Sequence, residues 1–278
     1  MITNYDYSKI ENYDVLRKLQ LTQLEILKEV DDFCSKNNIR YSIAYGTILG
    51  AVRHGGFIPW DDDLDICMPR ADYDKFISLW KDTDAYLLQN HDTNLDFTQS
   101  FTKIRKRNTA FVLKTDLGFD FHKGIFVDVF PFDKVPDNKL KRNMQIINVM
   151  LYNLFTRGYA PNKNGSVVKC VSNIILKLTP KNRYYKLSKK YLKKICKYNK
   201  YSNLKFADMS VVNTMRMYYD EDIFDNMEKI KFEDSEFNVI NKFKDFLSIR
   251  YGDYMAFPPE EEQTWYHHPV HISFDKEY

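Results

Sequence analysis

The chain has 278 residues, 44% of them hydrophobic, with 20 Tyr, 20 Phe and only 9 Gly and 9 Pro. Such bulky apolar content supplies a core and excludes a disordered or fibrous protein. The formal net charge of +3 hides a segregation: between Asp137 and Asp208 there are 17 Lys and Arg and no Asp or Glu. The remainder carries 41 − 17 = 24 basic against 38 acidic residues, a balance of −14. Cys34, Cys67, Cys170 and Cys196 make no Cys-x-x-Cys pair, which excludes a zinc knuckle and a disulfide scaffold and fits reduced thiols. The first residues, Met-Ile-Thr-Asn-Tyr-Asp-Tyr, lack a basic stretch followed by an apolar run, and no window approaches the roughly 18 apolar residues of a membrane span. A cytoplasmic protein, peripheral at most on the inner face of the membrane, is expected.

In chain order, Leu16, Leu19, Leu24, Leu27, Val30 and Phe33 recur at helical steps and predict an amphipathic helix over 15–37. A short strand over 40–45 follows, and Gly46-Thr47 reads as a turn opening a helix over 48–53. Residues 63–68 alternate charged and apolar, predicting a strand with Asp63 and Asp65 on one face. A helix over 71–80 and strands over 86–89, 97–105, 110–113 and 124–130 complete the first half, with Pro131 expected to close the last strand. The basic middle predicts helices over 144–155, 167–178 and 184–200, and a final helix is expected over 243–251. The fold class is α+β, and three segments are expected: a catalytic core over 1–135, a basic helical insertion over 136–207 and a C-terminal helical segment over 208–278 that completes the catalytic domain.

Asp61, Asp62, Asp63 and Asp65 set four carboxylates within five residues, flanked by Phe57-Ile58-Pro59-Trp60 and by Leu64 and Ile66. Like charges held that close to a core are costly unless a cation neutralises them. Oxygen ligands without His or Cys suit Mg²⁺ or Mn²⁺. Asp128 is a lone acid in the apolar strand 125–130, placed to complete a metal site or to take a proton from an attacking hydroxyl. Gly46-Thr47, at a strand-to-helix turn, offers N–H groups and a hydroxyl to a phosphate.

The run from Tyr45 to Ile66, Tyr-Gly-Thr-Ile-Leu-Gly-Ala-Val-Arg-His-Gly-Gly-Phe-Ile-Pro-Trp-Asp-Asp-Asp-Leu-Asp-Ile, strongly resembles the signature of the LicD family, whose best-known members transfer phosphocholine from CDP-choline to bacterial surface glycans. The likeness continues through Met68–Tyr73, Lys103-Ile104-Arg105, Phe126–Pro131 and Tyr251–Met255 with Pro258-Pro259. That family belongs to the nucleotidyltransferase superfamily typified by DNA polymerase beta and includes the fukutin-type transferases. The resemblance implies a nucleotidyltransferase core with a mixed sheet, metal ligation by Asp61, Asp63, Asp65 and Asp128, and catalysis by Asp63, Asp65 and Asp128. Donor binding would fall to Gly46, Thr47, Arg53, Lys103, Arg105, His267 and His268, with Asp62 only in support.

The implied activity is Mg²⁺- or Mn²⁺-dependent transfer of an alcohol phosphate from a CDP-alcohol to a sugar hydroxyl of a cell-surface glycan such as teichoic acid, lipopolysaccharide or capsule, releasing CMP. Two alternatives stand beside it: attachment of an NMP from an NTP, and a non-catalytic module that binds anionic surfaces or nucleic acid through its lysines. The expected partners are the CDP-alcohol, a glycan acceptor that includes a lipid-linked one, and the inner membrane surface, with no nucleic acid. On the helix over 184–200, Leu187, Tyr191, Ile195 and Tyr198 share a face that either enters a headgroup layer or packs inward.

Overall fold

The computed structural model describes residues 7–161 and 166–278; the first six residues and Lys163 of the basic stretch lie outside the described residues. The chain forms two compact units, one of Met1–Leu88, Lys103–Phe130 and Asp222–Tyr278, the other of Gln89–Thr102 and Pro131–Glu221. The second unit thus takes in 89–102 in addition to the basic stretch, and the C-terminal segment enters the first unit from Asp222 rather than from 208.

The first unit is built on α1 (Tyr13–Lys36), β1 (Ser42–Ile43), α2 (Tyr45–His54), β2 (Asp65–Pro69), α3 (Arg70–Leu79) and β3 (Tyr86–Gln89). It continues through β4 (Thr102–Lys106), β5 (Ala110–Val112) and β6 (Phe126–Val135), whose residues from Pro131 on belong to the second unit. The architecture is mixed α and β, on a mixed sheet ordered β1-β2-β6-β4-β3, with β1 antiparallel to β2 through Ser42 opposite Cys67 and Ile43 opposite Ile66. α1 buries Leu16, Leu19, Leu24, Leu27 and Val30 on one face, as its spacing requires. Every residue of β2 is buried, so this strand is a central one.

Two boundaries differ from the sequence reading in a way that bears on the site. Gly46 and Thr47 lie inside the first turn of α2, which starts at Tyr45 with Ala44 as the extended residue before it. Thr47 and Ile48 both donate their N–H to the Ala44 carbonyl, which is why the helix begins earlier. Tyr45 takes φ +44°, a costly conformation for a non-glycine residue, held by packing of its ring on Phe130 and Phe246.

The other difference is β6, which does not close at Pro131 but runs on to Val135. From Phe132 to Val135 it pairs antiparallel with β7 (Lys205–Asp208). Pro131 precedes the first of these pairs, where its missing N–H takes no bond from that ladder.

The second unit adds α4 (Lys139–Arg157), α5 (Ser166–Leu178) and α6 (Tyr184–Cys196) to that pair of strands. Its core gathers Val135, Ile146, Val149, Tyr152, Ile195, Ala207, Met209 and Met215, with Tyr191 and Leu192 packed against it. The Gln145 amide donates to the carbonyls of Lys134 and Ile195, both at 3.0 Å, and so ties β6, α4 and α6 together. The face of α6 that carries Tyr191 and Ile195 is therefore spent inside the unit and does not face a lipid layer. The first unit is completed by the hairpin β8 (Met227–Phe232) and β9 (Ser235–Ile240), by α7 (Phe243–Tyr251) and by β10 (His271–Ser273), antiparallel to β5, so the C-terminal segment is mixed strand and helix rather than helical.

Candidate active site

The acidic run is not a solvated loop; it is held from three sides within the first unit. Gln20 and Gln23 of α1 are buried and donate their amides to backbone carbonyls, Gln20 to Ile58 and Asp61 at 3.2 and 2.9 Å, Gln23 to Asp62 at 2.9 Å. At the entry to the run, Glu233 in the β8–β9 turn accepts the Phe57 N–H at 3.1 Å and is clamped by Arg17 at 3.0 and 2.5 Å. The Glu233 carboxylate fills the space a side chain at Gly56 would take, meeting a Cβ there at 2.3 Å. At the exit, the Thr47 hydroxyl accepts the Asp65 N–H at 2.9 Å and the Leu64 carbonyl accepts the Asp128 N–H at 2.9 Å.

This scaffold forces the carboxylates together. One oxygen of each of Asp61, Asp62 and Asp63 can lie within 4.8 Å of the others, so their charges repel at close range. Burial first, then the charges of Asp63 and Asp62, drive Asp61 well above the usual carboxylate range. Burial likewise raises Asp65, with the charges of Asp63, Asp128 and Asp61 adding to it against Lys103. Asp63 is raised by burial, countered by His267 and reinforced by Asp62 and Asp128. Gly46 is what lets Asp61 into this position, since a Cβ on Gly46 would stand 2.6 Å from the Asp61 Oδ2. Asp61 and Asp63 keep part of their surface open to solvent, which leaves a side from which a ligand can reach the cluster.

The sequence-predicted residues divide by what they touch. Asp62 is completely buried and turns both oxygens to His267, accepting its backbone N–H and bonding Nδ1, each at 2.9 Å. The oxygens of Asp61, Asp62 and Asp63 that can lie within 4.8 Å of one another are close enough to hold a cation, although Asp62 is already engaged by His267. His267 Nδ1 also stands 3.8 Å from Asp63. Burial lowers the pKa of this imidazole, but the Asp62 hydrogen bond and the charges of Asp63 and Asp62 win, so it is raised overall.

Asp128 is not an isolated acid on its strand. Lys103 of β4 meets it at 2.5 Å and lies 3.1 Å over the Phe126 ring, so the nearest cation in the site already has a carboxylate partner. Arg105 is buried, donates to the Gly124 carbonyl at 2.7 Å and stacks over Phe121 and Phe126. Burial pulls its pKa down to about 10, which still leaves it cationic at neutral pH. Arg53 spends its guanidinium on the carbonyls of Tyr254 and Ala256, at 3.2 and 2.9 Å, and stacks on Phe257. It ties down the C-terminal loop. His268, at φ +46°, lines a separate recess with Trp265 and Asn12 and is not part of the acidic cluster.

Sequence reasoning did not single out Gln20, Gln23 or Glu233, and it placed Tyr251 in the family likeness without a role in the site. The signal for the glutamines was present, since 16, 20, 23 and 27 form one helical stripe in which two buried positions are polar. Tyr251, at the end of α7, has its hydroxyl pKa pushed up first by burial, then by the negative charges of Asp61, Asp65 and Asp63, against Arg250. It stands within the field of the acidic cluster, and no short-range pattern could link a residue at 251 to one at 61.

Comparison with known proteins bears on this geometry directly. Residues 38–153, which span α2, the acidic run, Lys103 and Asp128, match the family described as LicD/FKTN/FKRP, nucleotidyltransferase domain. The chain is 29% identical over 265 residues, 91% of its length and 96% of the relative's, to the lipopolysaccharide cholinephosphotransferase LicD of Haemophilus influenzae. Uncharacterized proteins of Rickettsia typhi and Rickettsia prowazekii share 43% and 44% identity over 65 and 64 residues, 23% of this chain in both cases and 21% and 24% of theirs. The scaffolded carboxylates and the Lys103–Asp128 pair fall within the residues, 38–153, that are similar to this family's domain.

Proposed function

We propose that this chain is a phosphotransferase of the cholinephosphotransferase type, with a nucleotidyltransferase-like catalytic core. It moves an alcohol phosphate, phosphocholine first among the candidates, from a CDP-alcohol to a sugar hydroxyl of a cell-surface glycan such as lipopolysaccharide or teichoic acid. The observation that carries the reading is the enclosed set Asp61, Asp63 and Asp65, all with raised pKa values, beside the Lys103–Asp128 pair. The similarity to the Haemophilus influenzae enzyme along nearly the whole chain supports it.

The donor set fits a hard divalent cation, Mg²⁺ or Mn²⁺: all oxygens, mutually repelling, and made to converge by Gly46 and the Gln20 and Gln23 amides. Asp61, Asp63 and Asp65 would hold it, and it would supply charge neutralisation at the donor pyrophosphate. The chain's own residues do the rest. Asp128, held by Lys103, takes the proton of the acceptor hydroxyl as that oxygen forms its bond to the alcohol-bearing phosphorus, while the bond from that phosphorus to the CMP oxygen breaks and CMP leaves. Arg105 and Lys103 supply fixed positive potential beneath the phosphates, and the Gly46-Thr47 turn of helix shapes the floor.

The test is a mass spectrum of reactions containing Mg²⁺, a glycan acceptor and either a mixture of CDP-alcohols or a mixture of NTPs. A product heavier by an alcohol phosphate, with CMP released, is expected. An acceptor heavier by a nucleoside monophosphate in the NTP arm would overturn the reading in favour of nucleotidyl transfer.

A further inference from the structure

Of the three α-helices of the second unit, the 13-residue α5 buries the fewest of its described residues. It carries seven aliphatic residues, Val167, Val168, Val171, Ile174, Ile175, Leu176 and Leu178, and none of them is buried. Among its described residues only Ser172 is buried, at 8% exposure. Val167, Val171, Ile174 and Leu178 are 74%, 49%, 52% and 79% exposed, and their spacing of four, three and four places them in one stripe. Cys170, also exposed, borders it. A helix of this kind in water normally turns its aliphatic face inward. Its length, about 20 Å at 1.5 Å per residue, is too short to cross a bilayer, and no helix among the described residues is long and apolar enough to do so.

What covers the stripe is indicated by charge. α5 lies within the interval of 17 cations without one acid, and it carries Lys169 and Lys177 itself. Among the described residues, Lys169, Lys177, Lys181, Lys186, Lys190 and Lys193 form no ion pair, whereas Lys189 is matched by Asp92 at 2.6 Å. Two copies of this chain meeting stripe to stripe would bring two such fields together without a counter-charge. An apolar strip within an unmatched cationic surface is complementary to a layer that is oily inside and anionic at its face. The same unit shows a second exposed stripe on α4, through Leu140, Met144 and Ile147.

We propose that α5 is an interfacial helix that lays Val167, Val171, Ile174 and Leu178 into an anionic bilayer surface, with the surrounding lysines on the headgroups. This assigns the contact to α5 and not to α6, whose apolar face is closed within the unit. Because the readout is binding, it stands or falls independently of the proposed transfer reaction.

The experiment uses the full chain with Cys196→Ser and an environment-sensitive fluorophore on Cys170; Cys34 and Cys67 are buried. Vesicles of equal parts phosphatidylglycerol and phosphatidylcholine should sediment the protein at low salt and shift the fluorophore to the blue. Pure phosphatidylcholine should do neither, and high salt should release the protein. Val171→Glu with Ile174→Glu changes two exposed positions, so the fold should persist by circular dichroism while vesicle binding drops at least tenfold. The proposal is overturned if the parent protein stays in the supernatant with anionic vesicles at low salt, or if the double variant binds them as well as its parent. A parent that sediments as a dimer in the ultracentrifuge, becomes monomeric in the double variant and ignores vesicles would overturn it too, assigning the stripe to a second copy.

Discussion

The acidic run of the first unit and the basic helices of the second both concentrate charge of one sign, and the structure treats them in opposite ways. The carboxylates of Asp61, Asp63 and Asp65 are crowded by a scaffold of buried amides, a glycine and a threonine hydroxyl, and burial and their mutual charge force them upward in pKa. The lysines of 139–205 stand mostly in solvent with no scaffold at all. Enclosed like charge costs stability and is kept only where a counter-ion completes it; exposed like charge costs little and selects among partners. Where the second unit does bury acids it discharges them locally. Asp208 accepts from Ser210 and Thr214, and Asp133 accepts from Asn199 at 2.6 Å.

The sharpest way to break this contrast is to remove the enclosed charge. Asp63→Ala or Asp65→Ala should lower the rate of transfer on the order of a thousandfold, the loss of several kcal/mol of charge stabilisation. The melting temperature without divalent cation should be unchanged or raised, because a repulsive partner is gone. Turnover at the wild-type rate, or a wild-type enzyme indifferent to EDTA, would show that the cluster is not a metal site. The next effect is steric. Gly46→Ala sets a methyl 2.6 Å from the Asp61 carboxylate, which must move, and a displacement of that size costs on the order of a hundredfold in rate. Full activity in this variant would mean that the position of Asp61 is not critical.

Much of the site was legible because its parts are close in sequence. The strand alternation, the carboxylate spacing and the Gly-Thr pair all lie between 45 and 66, where periodicity and local chemistry can be read. Asp128 was recognisable as an acid in an apolar strand, but its partner Lys103 was assigned to the donor, since pairing across strands leaves no mark in either segment. His267 meeting Asp62, Glu233 bracing Phe57 and Arg53 gripping Tyr254 and Ala256 are contacts across roughly 175 to 205 residues, and they depend on how the C-terminal segment returns to the first unit. β6 passed through Pro131 for a similar reason: the proline's local signal is to stop, and a strand arriving from 205–208 overrode it. In the basic region the helices were visible, but which of their apolar faces closes inward was not.

A smaller effect tests the scaffold without touching a carboxylate. Gln20→Leu leaves the Ile58 and Asp61 carbonyls without their amide donor and should cost about 1–3 kcal/mol in denaturant unfolding. Because the loop backbone would then loosen under the carboxylates, activity should fall with it. Lost stability with undiminished turnover would show that α1 merely packs beneath the loop and does not aim it.

The smallest effect is expected where the contrast is strongest, on the surface of the second unit. Ile195 of α6 is fully buried, and Ile195→Ala should cost about 2–5 kcal/mol because a cavity replaces packed side chain. Ile174→Ala and Val171→Ala, on the exposed stripe of α5, remove side-chain surface that is about half in water already, so each should change unfolding free energy by no more than about 0.5 kcal/mol. The measurement is denaturant unfolding of the three variants at one low protein concentration, in the absence of vesicles. An α5 substitution that costs as much as Ile195→Ala would mean the stripe is covered in solution, and dilution would identify the cover. A cost that disappears on dilution belongs to a second copy, while one that persists belongs to the chain's own packing. A negligible cost leaves Val171 and Ile174 with no role in holding the fold, which is the state expected of a surface reserved for a partner.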